Sequence, residues 1–191
     1  MRWDPPELEW LPVEAQELVR FACTRMVHSY KPVLMLAIID QLPATEFPAS
    51  TIADAFERFY LARETQGLPV ERRGCRFVVN GGVDGMICRR TSEATLKDVF
   101  ETLRHCLELR KGIVTLSELD GWRVLKQNEH VRVVAKLLEA AIGTFYDRVE
   151  LLGEAVYGKQ QHRNAEADQV VFLLPDPHHG DGLCLLWPED R

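Results

Sequence analysis

The sequence predicts an α-rich α+β fold in two parts. Residues 1–91 form an N-terminal domain carrying a basic β-hairpin, and residues 92–191 form a helical domain that ends in a second hairpin. Three observations predict this. Apolar residues recur at helical spacing over several long stretches. Two shorter runs of β-forming residues are divided by Gly-rich or Pro-rich turn signals. The charge is split, with a basic segment near Arg72–Arg90 and an acidic C-terminal quarter.

Trp3 and Trp10 lie in a short acidic arm, which packs back on the core or docks a partner. Pro12 to Val27 reads as a helix with Leu11, Ala15, Leu18, Ala22 and Met26 on one face. Glu14 and Glu17 sit in its early turns, where acids suit the helix macrodipole. Tyr30 to Leu42 is apolar on nearly every side, as a buried helix is, with Pro32 in its first turn and Pro43 as its stop. Ala44 to Phe47 fits a short strand. A further helix starts at Ser50 or Thr51 as N-cap, carries Ile52, Phe56, Phe59, Tyr60 and Arg63 on one face, and ends at Gly67 as the C′ residue.

Cys75 to Arg90 reads as a β-hairpin. Asn80-Gly81 and Asp84-Gly85 supply residues tolerant of positive φ between its two apolar arms. Arg72, Arg73, Arg76, Arg89 and Arg90 flank these arms, against only Glu71 and Asp84. Guanidinium groups placed so suit phosphates; the competing reading is a sheet edge protected by charge. The glycines do not make a phosphate loop, because no Lys-Ser or Lys-Thr follows and the setting is a hairpin.

Ser92 to Arg110 has the spacing of an amphipathic helix, with Leu96, Val99, Phe100, Leu103, Cys106 and Leu107 on one stripe and Lys111-Gly112 as its end. Ile113 to Leu116 is a short apolar run, and Ser117 to Trp122 one more helical turn. Asn128 to Leu152 is the longest helix, and its stripe serves either a monomer core, the preferred reading, or a homodimer seam. VVFLL at Val170–Leu174 and LCLLW at Leu183–Trp187 form the terminal hairpin. Tyr60 and Tyr146, each preceded by Phe and followed shortly by Arg, echo one another over too short a span to count as a repeat.

The segments YKPVLMLAIID and FERFYLARETQGLPVE, within Ser29 to Glu71, resemble an N-terminal module of bacterial phage-defence and restriction proteins. The resemblance implies a winged-helix-like DNA-binding domain. Counted from Pro12, the Ser50 helix is then the third helix, the one that enters the major groove, and the basic hairpin is the wing. The expected DNA contacts are Lys31, Arg58, Arg63, Arg72, Arg73, Arg76, Arg89 and Arg90. The implied partners are double-stranded DNA and a nuclease or helicase, since such modules often precede those domains. No nuclease or helicase motif follows in this chain.

Composition bounds the remaining choices. The 191 residues carry 46% hydrophobic and 27% charged residues, ordinary for a globular protein with a real core. No apolar stretch is long enough to span a membrane, and MRWDPPELEW is not a signal peptide. Five cysteines without paired spacing fit reduced thiols in the cytoplasm. No catalytic residue, cofactor or metal ligand is assigned. Asp176, His178, His179 and Asp181 make the one metal-like cluster, and a flexible polar loop explains them better. The expected function is a non-catalytic DNA-binding component of a bacterial defence or restriction system. The net charge of −6 favours the alternative, a protein-interaction or adaptor subunit without DNA contact. A metal-dependent nuclease ranks third.

Overall fold

A computed structural model describes residues 3, 5–74, 100–126 and 130–157, together with the backbone of two strands near the C-terminus. After a 3₁₀ turn at Pro6–Trp10 come α1 (Val13–Cys23), α2 (Tyr30–Ile39), β1 (Glu46–Pro48), α3 (Ala49–Thr65) and β2 (Pro69–Arg72). The second half contains β3 (Leu107–Arg110), β4 (Ile113–Leu116), α4 (Asp120–Leu125), α5 (Val131–Leu151), β5 (Ala155–Tyr157), β6 (Phe172–Pro175) and β7 (Leu183–Leu185). Helix and small antiparallel sheets are mixed, as an α+β chain predicts.

Helix α2 is the centre of the core. Every residue from Pro32 to Ile39 is buried, which is what its all-round apolar sequence requires. α3 and α5 pack against it, and α1 packs on α2, α4 and α5. The apolar stripe expected on the longest helix is the buried face of α5: Val134, Leu138, Ala141, Ile142, Phe145 and Val149 all lie in the core. The helix ends match the chemistry of their glycines. At the end of α3, Leu68 N–H donates to the Arg63 carbonyl and Gly67 N–H to Glu64, with Gly67 at φ 67°. At the end of α5, Glu154 donates to Val149 and Gly153 to Glu150, with Gly153 at φ 65°. Both are Schellman closures, which need a residue that accepts the left-handed region.

Two sequence expectations need correction. Neither Ser50 nor Thr51 caps α3. The helix starts at Ala49 straight after β1, its cap position is Pro48, and the Ala49 N–H is satisfied at 2.8 Å by the Gly112 carbonyl. A tertiary acceptor thus replaces the hydroxyl that local sequence offered. The helix expected from Ser92 to Arg110 does not reach Arg110. Phe100 and Glu101 are helical, turns follow, and Leu107–Arg110 is strand β3. Lys111 and Gly112, at φ 51° and 76°, make the tight two-residue turn that folds β3 back on β4. Leu107 fits a helical stripe, yet burial of Leu107 and partial burial of Leu109 show the alternation of a strand.

The main sheet has the order β1-β4-β3, all antiparallel, with Phe47 opposite Val114 and Leu109 opposite Val114 from the other side. β2 pairs with β5, and β6 with β7, the latter agreeing with the expected terminal hairpin. The β1–β4 and β2–β5 ladders each join a strand before residue 91 to one after residue 92, and one hydrophobic cluster draws on both parts. The basic hairpin at Cys75–Arg90 and the His178-His179 loop lie outside the described residues.

Helix α4 lies tight against α1 at Gly121 in its first turn. A Cβ placed there would lie 2.6 Å from Leu18 Cδ1 and 2.7 Å from the backbone oxygen of Glu14. A backbone atom cannot step aside cheaply, so Gly121→Ala must push α4 off α1. The expected loss is about 1–3 kcal/mol of stability, read as a lower melting temperature with unchanged far-UV circular dichroism.

Candidate functional site

The chain between α1 and α2 delivers Ser29 to the interior, fully buried at the N-terminus of α2. Its hydroxyl donates to Glu71 Oε2 at 2.6 Å, and its N–H donates to the same oxygen at 3.0 Å. Glu71, on β2, is also fully buried, and its Oε1 accepts the Arg72 N–H at 2.8 Å. His28 Nδ1 stands 3.5 Å from that oxygen without the alignment of a hydrogen bond. Two tyrosyl hydroxyls close on Ser29 Oγ: Tyr60 of α3 at 2.8 Å and Tyr146 of α5 at 3.0 Å. Tyr146 also donates to the Val70 carbonyl at 3.0 Å. Four elements meet at one hydroxyl, and the carboxylate sits where the α2 dipole favours negative charge.

This centre is buried and serves the fold; it offers no opening for substrate. It also absorbs one of the expected DNA contacts. The Arg63 guanidinium lies 3.5 Å from the centre of the Tyr146 ring and its Nε donates to the Pro69 carbonyl at 2.6 Å. Burial draws its pKa below the ordinary value, with Tyr146, Tyr60, Glu71 and Glu150 opposing. Arg72 is half-buried and paired with Glu154, Nε to Oε2 at 2.6 Å. Lys31 is half-buried with its Nζ 5.3 Å from the Phe21 ring centre. Arg58 is exposed, its Nε 3.3 Å from the Asp54 carbonyl, and Arg73 is exposed beside the β2–β5 ladder, its N–H on the Glu154 carbonyl. Arg76, Arg89 and Arg90 lie outside the described residues. The described contacts do not form one cluster.

Sequence reasoning missed Ser29 and Glu71 as partners. The Phe-Tyr echo at Tyr60 and Tyr146 was the available signal, since those two hydroxyls converge on Ser29. Reading also missed Arg110 and Lys111, which form the exposed tip of the β3–β4 turn. Nucleophilic chemistry is disfavoured at the two described cysteines. Burial pushes the Cys23 thiol up to about 12 and the Cys106 thiol up to about 11, so neither is thiolate near neutral pH. Cys106 is the small core residue its stripe position suggested. Among the described residues no three His, Cys, Asp or Glu side chains gather to hold a metal, and no helix is long and apolar enough to cross a membrane.

Ser29 gives Glu71 two hydrogen bonds, one of them at 2.6 Å, so the two partners should not behave independently. In a double-mutant cycle, Ser29→Ala and Glu71→Gln should each cost about 1–3 kcal/mol, and the double variant should fall short of their sum by about 1 kcal/mol or more. Strict additivity in urea denaturation would show that the two groups do not share one interaction.

Beside Arg58, Asp40 ends α2 half-buried. Burial raises its carboxyl from 3.8 to about 6, Glu139 adds to the rise, and Arg58 opposes it. The folded chain therefore holds this proton more tightly than the unfolded one. The resulting stabilisation is complete below about pH 3.8 and is lost as pH rises through about 6. Asp40→Asn should accordingly raise stability at pH 7.5 by about 2 kcal/mol and change it little near pH 4. Melting curves at the two pH values check this, and an equal shift at both would refute the titration.

Compared with known proteins, the chain matches no family model, no curated protein and no solved structure.

Proposed function

We propose that this chain is a non-catalytic DNA-binding component of a bacterial defence or restriction system, with a winged-helix-like module spread over more of the chain than residues 1–91. The observation that carries the reading is the order of elements around the main sheet. Helix α2, strand β1, helix α3, the helical residues Phe100 and Glu101, and the β3–β4 hairpin follow in sequence, and β1 joins the hairpin on its second arm. We read this order as winged-helix-like, with β2 and residues 73–99 set between α3 and Phe100. Fold analogy alone does not give a function. The charge at the tip of the hairpin adds to it.

In this reading the wing is Arg110-Lys111-Gly112, in place of the Cys75–Arg90 hairpin that the sequence suggested. Arg110 has a side chain 79% exposed, and Lys111 is exposed with its backbone in the left-handed region. Arg104, 64% exposed, stands in the turns just before β3. Arg110 and Arg104 are exposed enough to exchange their acids, Glu108 and Glu101, for a phosphate, because such surface pairs are worth under about 1 kcal/mol. Phosphate contacts of this kind position a protein on DNA without reading sequence. The second reading, an adaptor subunit, draws on Trp10 and Val13, which are 71% and 62% exposed and close in the chain.

Duplex DNA should bind with an affinity that falls steeply as salt rises. Replacing Arg110 by Ala together with Lys111 by Asn, which tolerates positive φ, should alter stability by less than about 0.5 kcal/mol. The same pair should flatten the salt slope by about two, one per lost phosphate contact. Retention of no duplex even at about 50 mM salt would hand the case to the adaptor reading.

A further inference from the structure

A shallow groove of about 310 Å³ opens where the α1–α2 connection meets the β2–β5 ladder, and three arginines, Arg25, Arg72 and Arg148, line it with a single acid, Glu154. Arg72 grips Glu154 with two nitrogens, Nε at 2.6 Å from Oε2 and Nη2 at 3.3 Å from Oε1. Arg148 is aimed by its Nη2, which donates to the Met26 carbonyl at 2.7 Å, and by the Phe145 ring 5.7 Å away. Arg25 is exposed and makes no hydrogen bond or ion pair with another described residue. Its backbone stands at φ 53°, in the left-handed region, just past the end of α1. A non-glycine residue there is strained by about 1–2 kcal/mol, and such strain gathers at binding and active sites.

The charge balance of the groove is two positive in excess, since one carboxylate faces three guanidinium groups. A phosphate monoester near neutral pH carries almost two negative charges, whereas each phosphodiester of a nucleic acid carries one. Guanidinium is the side chain whose planar fork fits phosphate oxygens two at a time. The rest of the lining is apolar: Met26, with Val27 and Leu152, which are 54% and 60% exposed. A flat ring laid on Val27 and Leu152 would remove that surface from water.

We propose that this groove is a binding site for a nucleoside 5′-monophosphate, its phosphate held by Arg25, Arg72 and Arg148 and its base laid against Val27 and Leu152. The site is separate from the β3–β4 turn and does not depend on the DNA-binding reading.

Titration calorimetry of the full chain with 5′-AMP, inorganic phosphate and adenosine tests the proposal. 5′-AMP should bind tightest, phosphate more weakly and adenosine weakest. Arg25→Gly keeps the left-handed backbone and removes the guanidinium, so it should weaken 5′-AMP about tenfold while leaving the melting temperature unchanged or higher. Leu152→Ser should weaken 5′-AMP and spare inorganic phosphate. Three results would overturn the assignment: no 5′-AMP binding at about millimolar ligand, unchanged affinity in Arg25→Gly, or phosphate binding as tightly as 5′-AMP. Loss of duplex DNA affinity in Arg25→Gly without any 5′-AMP binding would also overturn it, making the groove part of a DNA surface.

Discussion

The hydrogen bonds between Ser29 and Glu71 are the constraint on which the rest of the structure depends. Removing a carboxylate from water costs several kcal/mol unless its oxygens are fully engaged. Glu71 meets that demand with Ser29 N–H, Ser29 Oγ–H and Arg72 N–H. Ser29 has one hydroxyl proton, and it goes to Glu71. Tyr60 must then supply the proton of its own bond to Ser29, while the Tyr146 proton is divided between Ser29 and the Val70 carbonyl. Moving any of α2, α3, β2 or α5 would strand a buried polar group. The apolar packing around α2 holds the helices together without direction, and this small set of bonds fixes their angular relation.

The same centre decides which cations remain available to solvent. Arg63 and Arg72 flank Glu71 from α3 and β2, and both are drawn into the structure, one over the Tyr146 ring and one onto Glu154. They differ in what is left over. The Arg63 guanidinium is desolvated and spends its Nε on a backbone carbonyl. Arg72, with a side chain 36% exposed, keeps part of its fork open to the groove. Basic residues nine positions apart thus divide into structural and available ones according to the element they leave from, which a count of charges does not reveal.

How much of this was legible in the sequence follows the range of each interaction. The long helices were legible because their apolar periods are local properties of fifteen or so residues, and a glycine follows the end of α3 and of α5. The start of α3 was not, because its first N–H is satisfied by Gly112, more than sixty residues away in the chain. The segment ending at Arg110 was misread for a related reason. Cys106 and Leu107 satisfy a helical stripe and a strand boundary equally, and only pairing with β4 decides between them. Gly112 carried the only local signal, since a glycine at positive φ marks a hairpin turn as readily as a helix end. Arg63 was placed on the same face as Phe56 and Tyr60, and that placement already implied partial burial rather than a free DNA contact.

Net charge and local charge lead to different partners, and the geometry shows why both readings survive the same sequence. A chain of net charge −6 repels nucleic acid at long range, where only the monopole is felt. Within a Debye length of about 8 Å at physiological salt the local arrangement takes over. Arg110 and Lys111, neighbours at the hairpin tip, then act as one exposed group, as do Arg25, Arg72 and Arg148 in the groove, whatever the distant acids contribute. The two groups differ in their surroundings. Those at the hairpin are solvated on a protruding turn, suited to many weak and salt-sensitive contacts with a polyanion. Those in the groove are held by a backbone carbonyl, a carboxylate and a strained turn beside apolar side chains, suited to one compact anion. Orientation of the guanidinium groups, rather than their number, separates the two kinds of ligand.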